Sequence, residues 1–238
     1  MSGRAYAPTM RRPGDLIASG RDADIFEYGP GFVLRRSRHH RSMAAEAETM
    51  EYVRSYGYPA PHVVEVSDDG CDLVMERIDG PTMVDAGAAR PWTVRRMGRE
   101  LAELHQSLHR LPAPRWVNPA PCGTGDRLLH MDLHPLNVLM SPNGPVVIDW
   151  TNASSGDPSV DVALTWALIA SGEVSSGRAK AAAVRIGRRL LLHAFLAPFD
   201  ADELLALLGE VVEWKCQDPN MASAEVERMR ALVRGGAP

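Results

Sequence analysis

The chain has 238 residues, of which 45% are hydrophobic, and its net charge is −4. This content is sufficient for a sizeable core, and the absence of a basic surplus argues against a nucleic-acid partner. The three widely spaced cysteines suggest neither a disulfide framework nor a zinc site. Because we find neither a leader peptide nor an apolar stretch long enough to cross a bilayer, we expect a cytoplasmic protein without a membrane partner.

Three short strands are predicted near the start of the chain. They cover the apolar runs at residues 16–19, 23–28 and 32–36. The Gly-Pro-Gly at 29–31 predicts a hairpin, and Val33 and Arg35 share one face of the third strand because strand side chains alternate. The basic run at 35–41 is either a solvated loop or an edge that faces phosphate. The sequence therefore predicts a small antiparallel sheet.

A helix and two more strands follow. Residues 42–55 carry an apolar stripe at helical spacing, with Ser42 available as an N-cap and Glu46 near the first turn. Pro59 and Pro61 stop this helix. The two strands are predicted at residues 62–66 and 72–76.

The rest of the chain is mostly helical by pattern. Residues 92–109 form the clearest amphipathic helix, and its apolar stripe belongs to the core. His105 and His109 are four residues apart, but without an H-E-x-x-H pattern they are more typical of surface or interior histidines than of metal ligands. Residues 111–126, rich in Pro and Gly, predict a loop. Further helices are predicted at 160–170, 178–195, 201–216 and 223–233.

The most informative stretch is HMDLHPLNVLM at residues 130–140, followed by VVIDW at 146–150. It predicts two short strands joined by a turn and carrying three oxygen ligands, Asp132, Asn137 and Asp149. One Asp in such a set can orient a hydroxyl nucleophile, while the Asn and the other Asp hold Mg²⁺ against nucleotide phosphates. A competing interpretation is a zinc hydrolase site built on His130, Asp132 and His134.

These motifs, in this order, resemble those of the aminoglycoside phosphotransferase and choline kinase family. The similar features are H-x-D-x-x-x-x-N at 130–137, I-D-W at 148–150 and G-D-P-x-x-D at 156–161. Protein kinases instead continue with D-F-G and A-P-E. The resemblance implies an α+β, protein-kinase-like two-lobe fold with a small antiparallel-sheet N-lobe and a mostly helical C-lobe. It places the nucleotide-covering lobe at residues 1–76, the hinge at 77–80, and the lobe with the catalytic loop and acceptor site at 81–238.

The resemblance also assigns a set of residues to the nucleotide. Arg35 stands where the family has a phosphate-binding Lys, and Glu46 is its expected partner, with Arg36 and Glu48 as weaker alternatives. The turn at Gly20 would cover the phosphates, although protein kinases have three glycines there. The hinge would read adenine through the main chain of Glu76 and Ile78. The expected apolar neighbours of the nucleotide are Val33, Met75, Leu139 and Ile148.

At the catalytic loop, the resemblance implies that Asp132 accepts the hydroxyl proton while His130 braces the loop. Asn137 and Asp149 would bind Mg²⁺. His134 and Trp150 would flank the acceptor side or have a structural place, and neither is assigned a chemical step. Of the two aspartates that follow, Asp157 would cap a helix and Asp161 would brace the catalytic loop.

The resemblance implies transfer of the γ-phosphoryl group of ATP, or of GTP, to a hydroxylated small molecule. The sequence HMDLHPLN is nearer to the antibiotic kinases, so an antibiotic such as an aminoglycoside is the leading acceptor. A kinase of a metabolite of the sugar, amino alcohol or homoserine type is the alternative. The single glycine of the phosphate turn and Arg35 also leave open a nucleotide-binding pseudokinase, and the zinc hydrolase stays the least favoured. The sequence does not indicate an oligomeric state.

Overall fold

A computed structural model describes residues 12–172, 178–219 and 221–235. Its first part is a five-stranded antiparallel sheet in the order β1-β2-β3-β5-β4. The strands are β1 (Leu16–Ser19), β2 (Ala23–Glu27), β3 (Phe32–Ser37), β4 (Val63–Val66) and β5 (Asp72–Glu76). The order follows from three hairpins, β1–β2, β2–β3 and β4–β5, joined by the pairing of β3 with β5. The five strands predicted from the sequence are all present.

The two faces of this sheet have different neighbours because side chains alternate along β3. Leu34 packs with Tyr28 and Val74 in a small cluster on one face. Val33 and Arg35 lie on the other face, opposite Met75 and Leu73 of β5. Arg35 is thus carried on the same face as the apolar residue predicted to contact the nucleotide.

Helix α1 (Ala44–Ser55) connects β3 to β4. The expected N-cap at Ser42 is wrong by one position, because Met43 is the N-cap and makes no side-chain capping bond. Ser42 Oγ still accepts a hydrogen bond from the N–H of Ala44 at 3.3 Å. The shift leaves Glu46 in the first turn, where it is buried.

Two elements were missed in the connection to the second part. Helix α2 (Met83–Ala89) follows the extended segment after β5, and Thr82 caps it by accepting a hydrogen bond from the N–H of Asp85. The Thr82-x-x-Asp85 spacing is a capping signal that the sequence contains. Strand β6 (Asn118–Pro119) lies within the predicted loop 111–126 and pairs with a strand that follows the catalytic segment.

The second part is dominated by helices around the catalytic segment. Its strands are β7 (Arg127–Leu129), β8 (Val138–Ser141), β9 (Gly144–Val147) and β10 (Ser154–Gly156). Its longer helices are α3 (Val94–Leu108), α4 (Pro158–Ser171), α5 (Arg178–Leu196), α6 (Ala201–Lys215) and α7 (Ser223–Arg234). Helix α4 is apolar around most of its circumference, which is why it is buried among the others.

One continuous core joins the α1 side of the sheet to the helices. The segment after β5 docks on β8, where Met140 N donates to Pro81 O at 2.8 Å. Gly80 makes this approach possible, since a Cβ there would lie 2.3 Å from Met140 O. Within the described ranges, no helix is both long and apolar enough to cross a membrane.

Candidate active site

The buried carboxylate of Asp161 holds the start of the loop at residues 130–137 in place. Asp161, in the first turn of α4, accepts hydrogen bonds from the main-chain N–H groups of His130 at 2.9 Å and Met131 at 2.8 Å. His109 Nε2 donates to the same side chain at 3.0 Å. Burial opposes ionisation, but the His109 bond and the nearby imidazoles hold the pKa of Asp161 well below its usual range. Met131 has a φ of +61°, a left-handed conformation that these bonds maintain.

Asp132 and Asn137 are held against each other by the short turn between them. Residues 135–137 form a single 3₁₀ turn that brings the Asn137 side chain back, and its Nδ2 donates to Asp132 O at 3.0 Å and Oδ2 at 3.2 Å. Because both contacts require the amide nitrogen, Asn137 Oδ1 is left available as a ligand. The spacing of five residues therefore couples the proposed base to a proposed metal ligand.

Asp149 follows β9 and is brought beside Asn137 by the pairing of β8 with β9. Ile148 N donates to Asn137 O at 3.0 Å, and Asp149 adopts a φ of +66° directly after it. Asp149 Oδ1 accepts a hydrogen bond from Arg35 Nη2 at 3.0 Å and lies 2.9 Å from Thr151 Oγ1. Its other carboxylate oxygen has no hydrogen-bond partner among the described residues, so it too is available to a cation.

Arg35 links the sheet to this loop. It forms an ion pair with Glu46 of α1 in addition to the one with Asp149. The pairing expected from the sequence is therefore present. Arg36 points to the other face and pairs with Asp72, while Glu48 is exposed. Neither Arg36 nor Glu48 therefore contacts Asp149 or the Arg35–Glu46 ion pair.

The charges of this cluster support one another. Burial disfavours the guanidinium charge of Arg35, but Glu46 and Asp149 outweigh it and raise the pKa of Arg35. Burial raises the pKa of Glu46 to about 7 against the opposing charge of Arg35, and direct contact with the guanidinium favours the ionised pair. Burial also opposes ionisation of Asp149, yet Arg35 and Thr151 lower its pKa.

The other predicted nucleotide residues line the same side of the sheet. Val33 is buried, and Met75, which pairs with it across the strands, is partly buried. Ile78 makes no main-chain hydrogen bond with a described residue, so both its N–H and its C=O are open to a planar polar ligand. Glu76 N is already engaged with His62 O at 2.8 Å. Leu139 of β8 and Ile148, which follows β9, are half-buried.

The turn between β1 and β2 is tight and charged. Gly20 N donates to Ala23 O at 2.9 Å, which closes the turn. Arg21 extends from it and forms an exposed ion pair with Glu225 of α7 at 3.2 Å. In the basic run that follows Arg35, Arg36 pairs with Asp72 and Arg38 pairs with Asp24.

Three of the predicted residues, Trp150, His130 and Asp157, make contacts within the fold. Of the two alternatives for Trp150, the acceptor side or a structural place, the structure shows the second, because the side chain lies in the core with 1% exposure. The ring of His130 packs against it at 4.6 Å, and His130 Nε2 lies 3.2 Å from Ile148 O. Asp157 caps α4 by accepting from Ser159 N at 2.8 Å. All three side chains therefore contact other parts of the protein.

The zinc arrangement proposed as a competitor is not assembled. His134 Nε2 lies 3.7 Å from Asp132 Oδ2, but the His130 ring faces Ile148 O instead. Burial lowers the pKa of His134. In the described part of the chain, no group of three or more His, Cys, Asp or Glu residues is placed to hold a metal ion.

Two residues of the site were not identified from the sequence. Lys215, at the end of α6, places its Nζ 3.5 Å from Asp132 Oδ1. Thr151 contacts Arg35, Glu46 and Asp149. Thr151 follows the I-D-W motif directly, which is a local signal, whereas nothing near Lys215 in the sequence connects it to residue 132.

Comparison with protein families identifies the chain. The model of the phosphotransferase enzyme family, APH, matches residues 15–126 and 117–199. The chain belongs to this phosphotransferase family. It is a small-molecule phosphotransferase, and its α+β architecture of an antiparallel-sheet lobe and a helical lobe is the kinase-like fold predicted from the sequence.

Solved structures agree on the fold of this family member. The streptomycin–ATP–APH(2'')-IIa ternary complex is 16% identical, with 94% of this chain and 89% of that chain covered and a TM-score of 0.59. A choline/ethanolamine kinase family protein from Mesorhizobium loti is 16% identical over 98% and 89%, with a TM-score of 0.56. The amicoumacin kinase hAmiN with AMP-PNP, Ca²⁺ and Ami is 13% identical over 94% and 88%, with a TM-score of 0.55. Comparison with curated protein sequences gives no match.

Proposed function

We propose that this phosphotransferase moves the γ-phosphoryl group of ATP to a hydroxyl of a small molecule, with Asp132 accepting the hydroxyl proton. The observation that supports this assignment is the coupled arrangement of Asp132, Asn137 and Asp149. The amide of Asn137 fixes the Asp132 carboxylate. Asn137 and Asp149 each keep one oxygen without a hydrogen-bond partner among the described residues. Phosphoryl transfer passes through a loose transition state, so positioned oxygen and charge are what a protein must supply.

The donor set fits Mg²⁺, because a hard cation prefers carboxylate and carboxamide oxygens. Asn137 Oδ1 and the free oxygen of Asp149 would hold it. When bound, Mg²⁺ neutralises the charge of the nucleotide phosphates. Arg35 is held by its ion pair with Glu46 and lies beside Asp149. It supplies a permanent positive charge for the phosphates. We further propose that residues 1–76 and 81–238 act as the two lobes around a hinge at 77–80, with adenine read at Ile78.

For the acceptor, we propose an antibiotic, of which an aminoglycoside is one type. The similarity of HMDLHPLN to the antibiotic kinases supports this choice, and the neighbours described above include proteins solved with streptomycin and with Ami. A metabolite kinase is the alternative, which the choline/ethanolamine kinase neighbour supports through its fold.

A nucleotide-binding pseudokinase is a second candidate, favoured by one contact. Arg35 bonds directly to Asp149, so a proposed metal ligand is already engaged by the residue proposed to bind phosphate. In a binding-only protein, however, no chemistry would depend on Asp132. The two candidates therefore differ in whether Asp132 is needed.

The test is mass spectrometry on a panel of hydroxylated antibiotics and metabolites, incubated with Mg²⁺-ATP and the protein. We expect one compound class to gain the mass of a phosphoryl group with the wild type. Asp132→Asn should lower that turnover by about 10²- to 10⁴-fold, the range for loss of a general base, with ATP affinity nearly unchanged. Asp157→Asn serves as the matched control, because Asn and Asp cap helices equally well.

The competing results separate the candidates. Transfer that survives in Asp132→Asn would refute the role of the base. ATP binding without transfer to any compound, in the wild type, would favour the pseudokinase. Asp149→Ala is expected to weaken Mg²⁺-nucleotide binding itself, which fluorescent-nucleotide titration measures.

A further inference from the structure

Lys215 is a buried cation that the catalytic assignment does not use. It ends α6 and is 8% exposed. Its Nζ lies 3.5 Å from Asp132 Oδ1 and 3.3 Å from Asp218 Oδ2. Lysine is almost never buried unless it is paired, and both partners here are carboxylates. One of the two is the proposed base, which is 83 positions away in the chain.

The residue type at this position is unusual for this protein. Lys and Arg together number 26, but only Lys180 and Lys215 are lysines. Arginine provides the cation in the other Lys or Arg ion pairs of the described ranges. An ammonium group is a compact point charge with three donors, whereas a guanidinium is a wide planar fork. A space between two carboxylates at the end of a helix suits the compact group.

The position of Lys215 has a geometric consequence for Asp132. Asn137 Nδ2 holds Oδ2 of this carboxylate, and Lys215 Nζ faces Oδ1. A carboxylate held only at Oδ2 can turn about its side-chain bonds, whereas contacts at both oxygens fix its plane. Each oxygen retains a lone pair, so the held carboxylate can still accept a hydroxyl proton.

It also has an electrostatic consequence. Asp132 and Asp149 are both carboxylates of one small site, and the proposed reaction adds a nucleotide triphosphate to it. Arg35 neutralises the Asp149 side, where it is bound to Asp149 and Glu46. Lys215 is the corresponding cation on the Asp132 side. The two cations therefore reach the site from opposite parts of the fold, one from the sheet and one from α6.

We propose that Lys215 is a positioning residue for phosphoryl transfer, which ties α6 to the catalytic loop and fixes the Asp132 carboxylate toward the acceptor hydroxyl. This proposal rests on the proposed function, since it takes Asp132 as the group that receives the proton. It assigns no contact between Lys215 and the substrate. Its prediction is a loss of turnover with little change in nucleotide affinity.

The kinetic test compares Lys215→Met with Arg230→Met. Arg230 of α7 forms an exposed ion pair with Glu213 of α6, so the control removes a cation that contacts α6 without touching Asp132. We expect Lys215→Met to lower kcat about 10- to 100-fold, because small misplacements of a reacting group have effects of that size. The KM for Mg²⁺-ATP should stay within about threefold, and Lys215→Arg, which keeps the charge, should recover part of kcat. A Lys215→Met variant as active as Arg230→Met overturns the proposal.

A second measurement does not depend on activity. With only two lysines, Lys180 and Lys215, the protein labelled with ¹³C and ¹⁵N lysine gives two side-chain NMR signals, and Lys180→Arg identifies the signal of residue 215 as the one that remains. Asp132→Asn should shift the Lys215 signal. An unshifted Lys215 signal in the folded variant overturns the proposal even where Lys215→Met fails to fold. Absence of transfer by the wild type, in contrast, refutes the proposed function and with it the positioning role.

Discussion

Replacement of Asp161 by Asn should separate the support of the catalytic loop from its chemistry. The side chains have the same shape, so the change creates no cavity. The carboxylate Oδ2 accepts from His130 N and His109 Nε2, and Oδ1 accepts from Met131 N. An amide has only one oxygen. Whichever way it turns, its NH₂ group faces at least one buried N–H donor.

The cost follows from these three contacts. Hydrogen bonds to a charged group are worth about 1.5–3 kcal/mol, against about 1 kcal/mol for neutral ones, so each retained bond weakens by about 1 kcal/mol. A buried donor left without an acceptor costs about 1–3 kcal/mol. We therefore expect Asp161→Asn to lower the free energy of unfolding by about 3–5 kcal/mol, a large part of the 5–15 kcal/mol typical of a folded protein.

Urea denaturation followed by tryptophan fluorescence measures this change, since Trp150 and Trp166 are both buried. Asp157→Asn is the control, one helical turn earlier, and should stay within about 0.5 kcal/mol of the wild type because the cap is retained. We also expect a lower kcat, because the loop that carries Asp132 loses its support. A loss of less than about 1 kcal/mol for Asp161→Asn would show that these bonds do not hold the loop as argued.

Two further predictions concern stability. Burial lowers the pKa of His105 from 6.5 to about 4, so its contribution is present above pH 6.5 and is lost as the pH falls toward 4. The free energy of unfolding should drop by about 2 kcal/mol more between pH 7 and pH 5 in the wild type than in His105→Gln, and equal pH dependence in urea titrations would contradict this assignment. Gly80→Ala should cost more than about 2 kcal/mol, because the new Cβ meets Met140 O, whereas Gly57→Ala, with a φ of +78° and open space, should cost only about 1–2 kcal/mol. Thermal melts compare the two variants, and equal losses would show that the segment after β5 moves freely away from β8.

The sequence by itself determined the local parts of this protein. Asp132 and Asn137 precede the β8–β9 hairpin and Asp149 follows it, so their spacing along the chain already restricts how they meet. Alternation along β3 likewise placed Val33 and Arg35 on one face. Family resemblance added Glu46 as the partner of Arg35. In each case, the signal came from neighbouring residues or from an ordered set of motifs.

The tertiary structure decided the contacts that join distant elements. Whether Trp150 faces an acceptor or the core depends on what packs against the end of β9. In the structure, the Trp150 side chain lies in the core and packs against the His130 ring. The contact between Lys215 and Asp132 depends on how α6 lies against the loop that carries Asp132. The contact between His109 and Asp161 depends on how α3 packs against α4. An apolar stripe shows which face of a helix is buried but leaves open its neighbour and its register, because hydrophobic burial has no direction. Only the packed fold specifies which polar side chains at the helix ends reach the site.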